Sequence, residues 1–154
     1  MHRRSFIIAS AACLGVARAQ QRPQVVVYKT PTCGCCGQWV AHLRRAGFFP
    51  VTHDMADLSA VKTRAGVPEA LRSCHTALVG GYFVEGHVPA EVIARLVTER
   101  PSIIGIAVGG MPIGSPGMEA PGSSIEPFDV MAVGRTGPPT VYASYPKGYR
   151  QPAG

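Results

Sequence analysis

Three cysteines fall within four consecutive residues, Cys33-Gly34-Cys35-Cys36, and a fourth opens the tripeptide Cys74-His75-Thr76. Three thiolates about 4 Å apart would repel one another by about 4 kcal/mol per pair at an effective dielectric of 20. Such a group must keep protons, close a disulfide or hold cations. Thiolate sulfur is a soft ligand that prefers Cu(I) or Zn(II), and sulfurs this crowded suit bridging between several Cu(I) ions better than one tetrahedral zinc. A structural disulfide framework is a poor account of the spacing, because such frameworks spread their cysteines to close long loops. A bridge between adjacent or next-but-one residues is strained and staples nothing. Two other chemistries stay open: thiol-disulfide exchange with Cys33 as nucleophile and Cys36 as resolving thiol, and a closed structural Zn(II) site.

The cluster has to be positioned by elements around it. Gln24 to Thr30 is a β-branched apolar run ending at Pro31, a buried strand followed by a turn. From Cys35 to Ala46 the residues Trp39, Val40, Leu43 and Ala46 recur at helical spacing before Gly47. The cysteines therefore occupy a strand-to-helix junction, where backbone N–H groups and the helix dipole favour thiolates. Phe48 to His53 reads as a second strand, and Asp57 as the N-cap of a helix to Arg64. Pro68 to Ser73 has room for one helical turn. Thr76 to Val79 and Tyr82 to Glu85 form a hairpin about Gly80-Gly81. Pro89 opens a helix lined by Val92, Ile93, Leu96 and Val97 and closed by Pro101. From Ser102 the chain turns rich in Gly and Pro, with a late hairpin of Phe128 to Val133 and Thr140 to Tyr145.

The first nineteen residues read as a secretory signal: His2, Arg3 and Arg4 are basic, Ser5 to Val16 is small and apolar, and Ala17-Arg18-Ala19 suits cleavage before Gln20. Arg3-Arg4-Ser5-Phe6-Ile7 fits a twin-arginine signal as well as an ordinary one, and Cys13 goes with the leader. The expected location is the periplasm. The full chain carries 15 basic and 9 acidic residues, net +6. Removing Arg3, Arg4 and Arg18 leaves 12 against 9, net +3. The basic residues are scattered without interleaved aromatics, which argues against nucleic acid as a partner. No later run approaches the roughly 20 apolar residues of a transmembrane segment. The expected organisation is a signal peptide at 1–19, a metal-binding domain at 20–101, and a 102–154 extension with too few apolar residues for its own core, packed on the same domain.

The element order, with a cysteine motif between strand one and helix one, resembles a thioredoxin fold over residues 24–100, with Cys33 and Cys36 at the positions of its C-x-x-C pair. The expected class is α/β, a thioredoxin-like βαβαββα domain with a C-terminal Gly/Pro/Met-rich loop and hairpin. In that fold the loop before the hairpin faces the cysteine pair and carries a cis-proline. Here the slot reads Cys74-His75-Thr76, so the loop is expected to be trans and to add a ligand, and the same analogy brings the Gly86-His87 turn to that end of the sheet. The motifs Thr30-Pro-Thr-Cys-Gly-Cys-Cys-Gly-Gln-Trp39, Ser73-Cys-His-Thr76, Glu85-Gly-His-Val-Pro89 and Gly110-Met-Pro-Ile-Gly-Ser-Pro-Gly-Met-Glu119 together resemble the copper-resistance family CopG, distinct from the DNA-binding repressor of that name. The resemblance implies a cysteine-bridged Cu(I) cluster on Cys33, Cys35, Cys36 and Cys74, with several ions per chain, and an unsettled copper redox activity. It implies copper ions, and other periplasmic copper-handling proteins, as partners. His87 and then His75 are the candidate nitrogen ligands. Met111 and Met118 are either thioether ligands, a shielding lid or ordinary packing. His42, two helical turns from Cys35, is expected to be a surface or packing residue, His53 to be without a role in the site, and Trp39 to belong to the core.

Overall fold

The computed structural model describes residues 23–150. The expected signal peptide at 1–19, with its arginine pair and Cys13, lies outside the described residues. The chain forms β1 (Gln24–Lys29), α1 (Gly34–Arg45), β2 (Phe49–Asp54), α2 (Ser59–Ala65), a short 3-10 turn (Glu69–Leu71), β3 (Thr76–Val79), β4 (Tyr82–Glu85), α3 (Ala90–Glu99), β5 (Gly105–Ala107), β6 (Phe128–Val133) and β7 (Thr140–Tyr145). It is a mixed α/β protein built on one seven-stranded sheet in the order β2-β1-β3-β4-β5-β6-β7. β1 pairs parallel with β2 and antiparallel with β3, and β3 forms a hairpin with β4. β5 lies parallel to β4 and antiparallel to β6.

Alternation along the strands divides the apolar residues between two faces. On one face Val25, Val27, Ala77, Val79 and Val84 meet Trp39, Val40 and Leu43 of α1 and Val92, Ile93 and Leu96 of α3. On the other, Phe83, Ala107 and Val133 meet Val67, Leu71 and Ile104. The late hairpin joins the sheet edge to edge through β5, which puts Ile106, Val108 and Val130 into the α1–α3 core. Both of its strands have the limits expected from sequence. β5 itself was not foreseen. Asp57, expected as the N-cap of α2, lies one residue too early: the N-cap is Leu58, which has no side-chain cap, while Asp57 Oδ1 accepts from Ser59 N at 2.9 Å, and α2 ends at Gly66 in the left-handed conformation, φ +79°. No helix among the described residues is long and apolar enough to cross a membrane.

Candidate metal centre

Register alone gathers the site. Tyr28 lies opposite Thr76, Thr76 opposite Glu85, and Glu85 opposite Ala107. Four neighbouring strands therefore begin or end at one end of the sheet. The Cys33–Cys36 segment leaves β1 there, Cys74-His75 enters β3, Gly86-His87 leaves β4, and the glycine-rich segment up to Met118 leaves β5.

Cys33 is the N-cap of α1, and its Sγ accepts from Cys36 N at 3.3 Å. The four sulfurs of Cys33, Cys35, Cys36 and Cys74 all lie within 4.8 Å of one another. Cys35 Sγ stands 3.5 Å from Cys33 Sγ and 3.9 Å from Cys74 Sγ. Cys33 and Cys36 are joined as a disulfide, while Cys35 and Cys74 are free. The pair thus stands in its oxidised arrangement, and two electrons would return both sulfurs to the cluster as donors.

Both candidate histidines reach Cys74. Its Sγ lies 3.1 Å from His87 Nε2 and 3.3 Å from His75 Nδ1, and these three residues form a second close donor group. His87 Nδ1 is 2.8 Å from Pro116 O. A carbonyl only accepts, so Nδ1 carries the proton and Nε2 turns a lone pair toward the sulfur. His75 is fully buried against the Trp39 ring, 4.3 Å between centroids, and its Nε2 has no hydrogen-bond partner among the described residues. Burial, reinforced by His87 and Lys62, holds the His75 pKa well below the ordinary value. Burial also lowers that of His87, against the opposing pull of the Pro116 hydrogen bond and Glu119. The Cys74 thiol is pushed up to about 12, first by burial and then by Cys35. Metal-free, the site therefore presents neutral imidazoles and a protonated Cys74, whose proton an arriving cation must displace.

A buried polar network fixes the Cys74 loop. Glu85 is fully buried; its Oε1 accepts from Lys62 Nζ and Ser73 N, each at 2.6 Å, and its Oε2 from Thr76 Oγ1 at 2.6 Å. The carboxylate thus grips the residues on either side of Cys74-His75. Sequence reading missed this network. Its one trace was a glutamate closing the otherwise apolar strand Tyr82-Phe83-Val84-Glu85. Gly86, at φ +72°, packs so tightly that a Cβ would run into Val108 O and the Ser73 side chain. No cis peptide bond occurs among the described residues, in keeping with the trans loop expected.

The segment after β5 supplies backbone to the site. Gly110 O accepts from Ser73 Oγ, Pro116 O accepts from His87, and Gly117 lies on the start of α1. A Cβ on Gly117 would stand 2.7 Å from Trp39 N and 2.8 Å from Cys35 O. Met111 is exposed and Met118 half-buried. His42 proves to be a buried packing residue whose Nε2 accepts from Ala90 N at 3.0 Å, tying α1 to the start of α3. His53 stacks on Tyr28 and belongs to neither close donor group, and Trp39 is core, its Nε1 donating to Val88 O at 2.9 Å.

Two solved structures, named copper resistance protein copG forms 2 and 1, resemble this chain at 46% identity and a TM-score of 0.76. They are matched over 81% of this chain and over 99% and 98% of their own lengths. The chain belongs to the CopG copper resistance family. A family model described as "protein of unknown function, DUF411" matches residues 71–118, which span Cys74, His75, His87 and the Met111–Met118 segment. No curated protein gives a significant match. CopG membership and a cysteine cluster able to hold metal together support a copper-related role.

Proposed function

We propose that this protein is a periplasmic copper-binding protein that holds Cu(I) on Cys33, Cys35, Cys36 and Cys74, with His87 and His75 as nitrogen ligands, in sequestration, delivery or redox handling of copper. The observation that carries the reading is the convergence of four sulfurs within 4.8 Å of one another, drawn from two separate chain segments, with His87 from a third segment close to Cys74. Sulfur in this density satisfies several low-coordinate soft ions by bridging. The expected export-type leader supports a location where incoming copper is met. The parallel β1–β2 pair, the β3–β4 hairpin and the junction cysteines support a thioredoxin-like unit over 20–101, extended by 102–154. The test is anaerobic titration of the fully reduced protein with Cu(I) against a competing chelator. More than one Cu(I) per chain is expected; a stoichiometry of one, or a stronger preference for zinc, overturns the cluster.

The Cys33–Cys36 disulfide favours a second reading, a thiol-disulfide oxidoreductase. Two features weigh against it. Cys35 and Cys74 crowd the pair with additional donors, and the loop facing it offers cysteine and histidine where that chemistry uses a cis-proline.

A further inference from the structure

The Cys33–Cys36 bridge takes two sulfurs out of metal binding and leaves a whole donor group behind. Cys74, His75 and His87 offer ligand atoms that all lie within 4.8 Å of one another, and none belongs to the bridge. We propose that the same centre has a second binding mode, in which Cys74 Sγ with His75 Nδ1 and His87 Nε2 holds a single Cu(I) while Cys33 and Cys36 are joined. This deepens the proposed function and rests on copper being the cargo.

Three observations carry it. The first is geometry. Metal–sulfur and metal–nitrogen bonds of about 2.3 and 2.0 Å at trigonal to tetrahedral angles place the two donors about 3.5 Å apart. The observed separations of 3.1 and 3.3 Å need only a small opening. The second is ligand preparation. Pro116 O fixes the His87 tautomer with Nε2 unprotonated, the usual outer-shell arrangement for a metal-binding histidine. His75 is completely buried against the Trp39 ring, with Nδ1 facing Cys74 Sγ at 3.3 Å. The third is charge. One thiolate and two neutral imidazoles around Cu(I) sum to zero, which a buried site tolerates, whereas Zn(II) would leave a net positive charge there. Cys35 Sγ, 3.9 Å from Cys74 Sγ, sits at the rim of this site rather than inside it.

The consequence is a copper capacity set by the oxidation state of one cysteine pair. The reduced chain offers four sulfurs and binds several ions. The bridged chain keeps one, on mixed sulfur and nitrogen donors.

The experiment compares the mature protein with its Cys33–Cys36 bridge intact, checked by mass before and after, with the fully reduced protein. Both are titrated anaerobically with Cu(I) in acetonitrile against a chromogenic chelator, and the copper shell of each is read by X-ray absorption. The bridged form is expected to bind one Cu(I) through one sulfur and two nitrogens, and His87→Ala or Cys74→Ser to weaken that binding at least tenfold. The Cys33→Ser, Cys36→Ser double variant, which lacks the same two sulfurs without needing the bridge, is expected to bind one ion in the same way. A bridged form that binds none while the reduced form binds several overturns this site and leaves the cluster standing. Failure of both forms to bind overturns the proposed function itself. A sulfur-only shell in the bridged form, or full retention of copper in His87→Ala, also overturns the site.

Discussion

Cys35 is the residue at which the proposed metal binding and disulfide exchange make different demands. Its sulfur lies between Cys33 and Cys74, at 3.5 and 3.9 Å, and links two parts of the donor set that otherwise belong to different chain segments. Cys35→Ser leaves the Cys33–Cys36 pair able to cycle. It is expected to weaken Cu(I) retention by the reduced protein about tenfold or more, about 1.4 kcal/mol, with reduction of a small disulfide nearly unchanged. If the variant loads copper like the parent while Cys36→Ser abolishes a robust reductase activity, the oxidoreductase reading prevails. The histidines give a second residue-level expectation. Burial lowers the folded-state pKa of His42, His75 and His87 below 6.5. Below that pH the unfolded chain takes up protons that the folded chain refuses, so stability falls as pH falls. The slope approaches about 1.4 kcal/mol per pH unit for each histidine that stays neutral. Urea unfolding of the copper-free, bridged protein at pH 7.5, 6.5 and 5.5 reads it directly, and a flat profile would refute the burial argument.

At the scale of elements, the strands and helices that declare themselves locally were legible and those made by their neighbours were not. Phe128–Val133 and Thr140–Tyr145 are β-rich runs separated by a Gly- and Pro-containing turn, so both hairpin strands could be read from sequence. Gly105–Ala107 is three residues without alternation, and it becomes a strand because Phe83–Glu85 and Met131–Val133 flank it. The cysteine cluster was legible from spacing. The grip of Glu85 on the Cys74 loop was not, because it depends on register between β3, β4 and α2. The Gly110–Met118 segment is the same kind of case: its methionines drew notice, yet its defined contribution is the Pro116 carbonyl, brought in by the close approach of Gly117 to α1. Gly117→Ala adds a Cβ against backbone at positive φ, which must lift the segment and free His87 Nδ1. Copper transfer to a chelator is then expected to be about tenfold easier, the usual cost of losing an outer-shell partner, and parent-like retention would show that this contact does not hold the ligand.

For the whole molecule, the question is whether residues 20–101 fold without the extension. Glycine, proline and exposed loops make the 102–154 region look dispensable, but its apolar residues are spent inside the first part. Ile106, Val108 and Val130 lie in the core shared with α1 and α3, and Val133 packs on Phe83. Burying an aliphatic side chain of this size contributes about 1.5–3 kcal/mol, so these four account for roughly 6–12 kcal/mol, comparable with the total stability of a typical domain. Their loss would also bare β4, a central strand of four buried residues, as a new sheet edge open to association with other chains. A chain ending at Pro101 would further lack Pro116, the hydrogen-bond partner of His87. The truncated protein is therefore expected to lose cooperative unfolding and dispersed amide resonances, and to aggregate at concentrations where the full chain stays monodisperse. A truncated chain that melts sharply and keeps its copper would instead establish 20–101 as a self-standing unit and make 102–154 an accessory to it.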